Sequence, residues 1–202
     1  MLSQMLPFSE ACDRNKGPIL AVLREAFADR ARVVEIGAGT GQHAVHFARH
    51  LPHLAWQPTD RGEYLEGLAA RVAAEGPPNL AAPVELDVLC QPWPPLHGDA
   101  VFSANTLHIM SWTAVGALFA GLGRVLARDG VLAIYGPFKY GERFTTASNA
   151  AFDAMLRERD PGSGVRAVEA VSALAKAVGL ELLADHAMPA NNQLLVWRKH
   201  GK

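Results

Sequence analysis

The sequence predicts an α/β protein built on an open, mostly parallel sheet with helices packed against it. Three observations predict it. Short β-branched runs alternate with segments of helical period along the first two thirds of the chain. The first run ends in a glycine-rich loop, and Asp60, Asp87 and Asn105 fall at the ends of the runs that follow. Strands that alternate with helices imply a parallel sheet, and such sheets bind ligands at the carboxyl ends of their strands.

Pro18 suits a helix start, since it has no backbone N–H to leave unpaired. Ile19, Leu20, Val22, Leu23, Ala26 and Phe27 then recur at helical spacing. Arg14, Asn15 and Lys16 stand before that start, as a lid, a clamp for an anionic substrate or a capped helix entry. Residues 32–37 (RVVEIG) read as a buried strand, 37–41 as a tight loop and 42–51 as a helix ended by Pro52. A second strand over 55–60 and a second helix over 62–75 follow, the latter stopped by Gly76, Pro77 and Pro78. Strands are expected over 84–88 and 99–105, separated by a proline-marked loop. Val115, Leu118, Phe119, Leu122, Val125 and Leu126 form one helical apolar face, closed at Asp129 and Gly130 before a fifth strand over 131–135. The last third predicts helices over 147–157 and 167–178 and two closing strands over 180–184 and 193–197, joined through Pro189, Ala190, Asn191 and Asn192. No linker or repeat interrupts this order, so residues 1–202 read as one domain.

Composition narrows the function. Half the residues are hydrophobic, 19% are charged and the formal net charge is −1. A near-neutral chain has no global field for a polyanion, which disfavours nucleic acid as a partner. The N-terminal stretch MLSQMLPFSEACDRNKG lacks the basic and apolar regions of a secretory signal, and no apolar run is long enough to span a membrane. Cys12 and Cys90 lack metal or redox spacing and fit reduced thiols in the cytoplasm.

The strongest local signal is Glu35-Ile36-Gly37-Ala38-Gly39-Thr40-Gly41. Glycines at alternate positions allow a sharp turn and close approach to a ligand. The dinucleotide fingerprint places its third glycine three after the second; here it falls two after, and position 42 is Gln. That spacing suits a cofactor with an adenosine and an amino-acid tail, S-adenosylmethionine, with Glu35, Gly37, Ala38, Gly39 and Gly41 around it. Asp60, with Arg61 beside it, falls where an acidic residue meets ribose hydroxyls; the other reading is a helix N-cap. Asp87 is a candidate for the adenine amino group, with Val88 supplying backbone, or a simple turn residue. Asn105 is a candidate for the methionine ammonium. His43, His46, His50 and His53 share helical spacing, but no third ligand completes a metal set, so they read as a solvated helix face.

As a set these motifs resemble the class I S-adenosylmethionine-dependent methyltransferases. More closely, the chain resembles the methyltransferase-like protein 26 family, whose bacterial members are grouped as domain of unknown function 938. The likeness rests on CDRNKGPIL, VVEIGAGTGQHAVHFARHLPHLAWQPTD, DAVFSANTLHIMSW, YGPFKYGERFTTASNAAFDAMLRERDPGSGVR and MPANNQLLVWR. It implies a Rossmann-like fold, seven strands with the last antiparallel, helices on both faces, and cofactor roles for Gly37, Gly39, Asp60, Asp87 and Asn105. It implies no particular acceptor; a small molecule is expected. Methyl transfer needs alignment and exclusion of water, and a base only when the nucleophile must lose a proton. His108, Tyr135 and Tyr140 are the candidates by position. The alternatives are a cofactor-binding protein without catalysis and a nicotinamide-dependent oxidoreductase.

Overall fold

The computed structural model describes residues 6–200. Residues 1–5, part of the stretch read above as lacking a secretory signal, lie outside them, as do 201 and 202.

The chain opens on α1 (Glu10–Ala26), which starts well before Pro18. Ser9 caps it by accepting from the Cys12 N–H at 3.3 Å. Pro18 therefore sits inside the helix, and the expected start there is corrected. Two features make this tolerable. Gly17 has no Cβ to clash with the proline ring, the contact that usually keeps the preceding residue out of the helix. The buried face of Asn15, Ile19, Leu20 and Leu23 holds both halves against the sheet. Arg14, Asn15 and Lys16 are consequently helical. Arg14 pairs with Glu10 at 3.1 Å and Lys16 with Asp13, so neither cation stands as an open clamp.

The alternation then runs as expected through β1 (Arg32–Ile36), α2 (Gln42–His50), β2 (Ala55–Asp60) and α3 (Gly62–Glu75). β3 is only Val84–Glu85, because one parallel neighbour pairs just these residues; Asp87 and Val88 lie beyond it in a turn. β4 (Gly98–Ala104) stops one residue short of Asn105, and α4 (Trp112–Val125) passes directly into β5 (Leu126–Gly136). Asp129 and Gly130 do not close a loop before β5 but form an irregularity inside it. Asp129 is left-handed at φ 59, and the register against β4 shifts from Gly98↔Leu126 to Ala100↔Val131.

A small sheet was not expected from the pattern. β6 (Phe138–Tyr140) pairs with β7 (Arg143–Phe144) and with β8 (Arg166–Ala167), strands too short to show a period. α5 (Ala147–Arg159) and α6 (Val168–Ala177) follow the predicted order. β9 (Leu180–Met188) and β10 (Asn192–Lys199), joined by a 3-10 turn at Pro189–Asn191, run longer than the apolar pattern suggests.

The main sheet has seven strands in the order β3-β2-β1-β4-β5-β10-β9. β10 is antiparallel to both neighbours, and the strands from β3 to β5 are parallel. This is the Rossmann-like class I methyltransferase fold. Alternate residues of each central strand serve opposite faces. Val34, Ile36, Val101, Leu132 and Ile134 pack under α4 and α6, while Val33, Phe102, Ala133 and Tyr135 pack under α1 and α2. Among the described residues, no helix is long and apolar enough to cross a membrane.

Candidate functional site

Parallel strands deliver their carboxyl ends to one edge. There the chain reverses through Gly37, Gly39 and Gly41, whose φ values of 74°, 55° and 76° are left-handed. The three are not equivalent. A Cβ at Gly37 would run into Thr106 Cγ2, and one at Gly41 would stand 2.8 Å from Leu68 Cδ1. A Cβ at Gly39 would have nothing within 4 Å. The outer glycines are thus required by packing, and the middle one faces open space.

Asp60 ties this loop to the end of β2. Its Oδ2 accepts from the Gly39 N–H at 2.6 Å and its Oδ1 from the Arg61 N–H at 2.8 Å. The helix-cap reading of Asp60 is corrected: the cap position of α3 is Arg61, and no side chain caps it. The carboxyl is buried, and desolvation raises its pKa. Arg61 points outward, over the Tyr64 ring and 2.5 Å from Glu63. Three more loop N–H groups are engaged. Gly37 and Ala38 donate to the Thr59 carbonyl at 3.0 Å each, and Gly41 donates to the Ala38 carbonyl at 2.9 Å. Arg71 of α3 holds the loop from outside through the Thr40 carbonyl at 2.7 Å.

Glu35 lies beneath the loop with 1% exposure and accepts from Trp56 Nε1 at 2.7 Å. Burial pushes its pKa up to about 8, so it is mostly protonated at neutral pH. Asp87 accepts from the Leu89 N–H at 2.9 Å in a tight turn, with Val88 buried against the core and Leu89 exposed. Asn105 is left-handed, φ 58, and donates its N–H to the Tyr135 carbonyl at 2.8 Å.

The family model described as protein of unknown function (DUF938) matches residues 6–199. The chain belongs to the DUF938 family. The chain is also similar in structure to an O-methyltransferase family protein from Burkholderia thailandensis, with TM-score 0.81 and 17% identity over 95% of this chain and 58% of that one. It is similar to the mitomycin 7-O-methyltransferase, with TM-score 0.79 and 18% identity over 94% and 54%. An O-methyltransferase family 2 protein from Planctomyces limnophilus, solved with apigenin, gives 0.77 and 17% over 92% and 56%. At these identities the likeness is one of fold, and the chain spans 54–58% of the length of these proteins.

In this DUF938 chain the three candidate catalytic side chains take different places. His108 is 7% exposed, beside Phe152 of α5 with ring centroids 5.4 Å apart. Burial first, then the Arg166 charge, lowers its pKa to about 4, so the imidazole is neutral at pH 7. Arg166 pins the segment that carries it, donating to the Leu107 carbonyl at 3.1 Å, to the Met110 carbonyl and to the Gly162 carbonyl at 2.7 Å. The Gly164 N–H donates to the His108 carbonyl at 2.8 Å. Tyr135 points to the α1 side of the sheet, where its hydroxyl accepts from Asn192 Nδ2 at 2.9 Å. Tyr140 is turned away. Its hydroxyl donates to Asp185 of β9 at 2.5 Å. β9 lies four strands from β1, roughly 19 Å at ordinary strand spacing. Burial, then the hydrogen bond to Asp185 and its charge, push the Tyr140 hydroxyl up to about 12.

The histidine quartet is a solvated face only in part: His50 and His53 are exposed and His46 is half-buried, but His43 is not. His43 is 4% exposed, bonds Asn15 Oδ1 through Nε2 at 2.6 Å and stacks on Phe47 at 5.2 Å. Burial lowers its pKa to about 4. His53 is exposed and bonds the Phe27 carbonyl at 3.2 Å. Among the described residues no group of three or more His, Cys, Asp or Glu converges as a metal site. Sequence reasoning missed Arg71 and Arg166. The available signal was a lone arginine among apolar neighbours, Leu68 and Val72 for one, Val165 and Val168 for the other.

Proposed function

We propose that this protein is an S-adenosylmethionine-dependent methyltransferase of the methyltransferase-like protein 26 group. On this reading it works as one domain, in the cytoplasm, on a small-molecule acceptor. The observation that carries the reading is the loop itself: Gly39 opens onto free space directly beside the buried Asp60 carboxylate.

The residues fit the cofactor. A carboxylate offers about four lone-pair sites, and two of Asp60's are taken by backbone N–H groups. The others can receive a ribose diol. Because Gly37, Ala38, Gly39 and Gly41 already direct their N–H groups at protein oxygens, the loop offers little to a pyrophosphate, which is what a nicotinamide dinucleotide would need. Asp87 and Val88 follow the end of β3 and Asn105 follows the end of β4, at the same carboxyl edge; on this reading Asp87 and the Val88 backbone would meet the adenine and the Asn105 carbonyl the ammonium of the amino-acid tail. S-adenosylmethionine, when bound, would supply a methyl group on a positively charged sulfur, activated toward a lone pair of the acceptor.

The chain's own part is alignment and exclusion of water. α1 closes over the loop through Ser9, whose N–H donates to Gln42 Oε1 at 2.6 Å while Gln42 Nε2 donates back to the Ser9 carbonyl at 3.3 Å. His108, neutral but weakly basic at a pKa of about 4, orients an O–H or N–H of the acceptor as a hydrogen-bond acceptor.

A thermal shift assay tests the reading. S-adenosylhomocysteine at about 100 times its Kd should stabilise the protein by about 2.7 kcal/mol, a rise in Tm of about 5–10 °C, and NADH should give none. A shift with NADH and none with S-adenosylhomocysteine would overturn the assignment.

A further inference from the structure

The turn after β4, residues 106–110, is held from two sides. Thr106, Leu107 and His108 are all buried in it. The Thr106 carbonyl closes the turn, accepting from the Ile109 N–H at 3.0 Å and the Met110 N–H at 3.1 Å. On one side the turn packs on the glycine loop, where Thr106 Cγ2 fills the place that a Cβ at Gly37 would need. The Thr106 hydroxyl bonds Ser103 Oγ at 2.7 Å, and Ser103 Oγ donates to the Ile36 carbonyl at 2.7 Å. The residue two before His108 is thus fastened to the end of β1 and to the loop that follows it.

On the other side stands Arg166 of β8, itself buried. Its Nε donates to the Leu107 carbonyl at 3.1 Å, and Nη2 donates to the Met110 carbonyl and to the Gly162 carbonyl at 2.7 Å. The guanidinium lies over the Trp112 ring, 5.6 Å from its centroid. A planar fork of donors can span two carbonyls of one turn; a lysine ammonium is a point donor and cannot hold both in a fixed geometry. The fork is fixed in its turn. β8 pairs with β6 at Phe138↔Arg166. α5 holds the approach to β8, because Asp153 Oδ1 accepts from the Val165 N–H at 2.7 Å while its Oδ2 accepts from Arg157 Nε at 2.8 Å. Gly164, in the same approach, donates its N–H to the His108 carbonyl at 2.8 Å.

We propose that Arg166 is a positioning residue for the cofactor and acceptor sides of the site: by spanning the Leu107 and Met110 carbonyls it holds the turn in the arrangement that sets Thr106 on the glycine loop and the His108 ring against Phe152. The idea rests on the methyltransferase reading above for what binds there, and it adds what keeps the two sides in register. Thr106 meets the loop and His108 meets α5 within three residues of one turn, so loosening that turn disturbs both. Arg166 acts through the backbone of the turn and not on the ligands.

Arg166→Lys in the full chain tests this, because it keeps the charge and loses the fork. It should weaken S-adenosylhomocysteine about tenfold by calorimetry, the effect of a turn that keeps its binding arrangement a tenth of the time. It should also remove most of the nuclear Overhauser contact between the His108 and Phe152 rings, whose centroids are 5.4 Å apart, while circular dichroism stays that of the folded wild type. A folded Arg166→Lys protein with wild-type affinity and an intact ring contact overturns the positioning role and leaves Arg166 a residue of stability alone. Thr106→Ser is the second variant and decides the matter if Arg166→Lys does not fold. It frees the turn from Gly37 but leaves Arg166 in place, so it should weaken S-adenosylhomocysteine and keep the ring contact; loss of the contact there would show that Arg166 does not hold that side. Failure of the wild type to bind S-adenosylhomocysteine would overturn the methyltransferase reading, and the ring contact, which needs no cofactor, would still decide the role of Arg166.

Discussion

Asp60→Asn separates the two jobs that the structure assigns to one carboxylate. In the free protein Asp60 accepts from Gly39 at 2.6 Å and from Arg61 at 2.8 Å through different oxygens. Asparagine has one oxygen, so one N–H keeps an acceptor and the other faces an NH2 group. A hydrogen bond to a charged group is worth about 1.5–3 kcal/mol, and a neutral one about 1 kcal/mol. Against this stands relief of a desolvated charge, the cause that raises the Asp60 pKa. The expected net destabilisation is about 1 kcal/mol, or about 2–4 °C in the Tm of the free protein. Cofactor binding should suffer more. Losing the charged acceptor for two ribose hydroxyls, with water recovering part of the loss, should cost about 2–3 kcal/mol, roughly 30- to 150-fold in Kd. Calorimetry with S-adenosylhomocysteine and a melt of the unliganded variant read the two effects separately. Unchanged affinity would refute the ribose role, and an unchanged free Tm would refute the tie between β2 and the glycine loop.

Gly37→Ala and Gly39→Ala should diverge. The first drives a methyl into Thr106 and should lower the free Tm by several degrees, whereas the second costs only the left-handed strain of about 1–2 kcal/mol but should weaken S-adenosylhomocysteine at least tenfold. A Gly39→Ala protein that binds like wild type would show that the open side of the loop is not the ligand side. Stability should peak near pH 6.5. Glu35, raised from 4.5 to about 8, binds an extra proton in the fold between those values, so stability falls as pH rises through that window. His43, His46 and His108, each lowered from 6.5 to about 4, leave the unfolded chain with extra protons between 4 and 6.5, and together they outweigh Glu35, so there stability rises with pH. Urea melts of Glu35→Gln should lose the decline between pH 6.5 and 8 and keep the rise below it; an unaltered decline would show that Glu35 is not the group responsible.

The strand and helix order, the parallel sheet and the glycine loop were legible in the chain because each depends on local pattern. Hydrophobic period marks helices and strands, and glycine spacing marks a sharp reversal. β2 and α3 occupy the residues their pattern predicted. What could not be read depends on neighbours remote in sequence. α1 extends past Pro18 because its face packs on the sheet, not because of its own propensity. β3 shortens because its one partner strand pairs only two residues of it. His43 looked like part of a polar helix stripe, and only the approach of α1 buries it and gives it Asn15 as a partner. Tyr140 and Tyr135 carry the same side chain five residues apart, yet Asp185 of β9 takes the hydroxyl of one while Asn192 at the start of β10 holds the other. Asp60 shows the division most plainly. Its spacing from the loop follows from the chain alone, but its grip on the Gly39 N–H exists only because parallel pairing of β1 and β2 brings the two strand ends side by side.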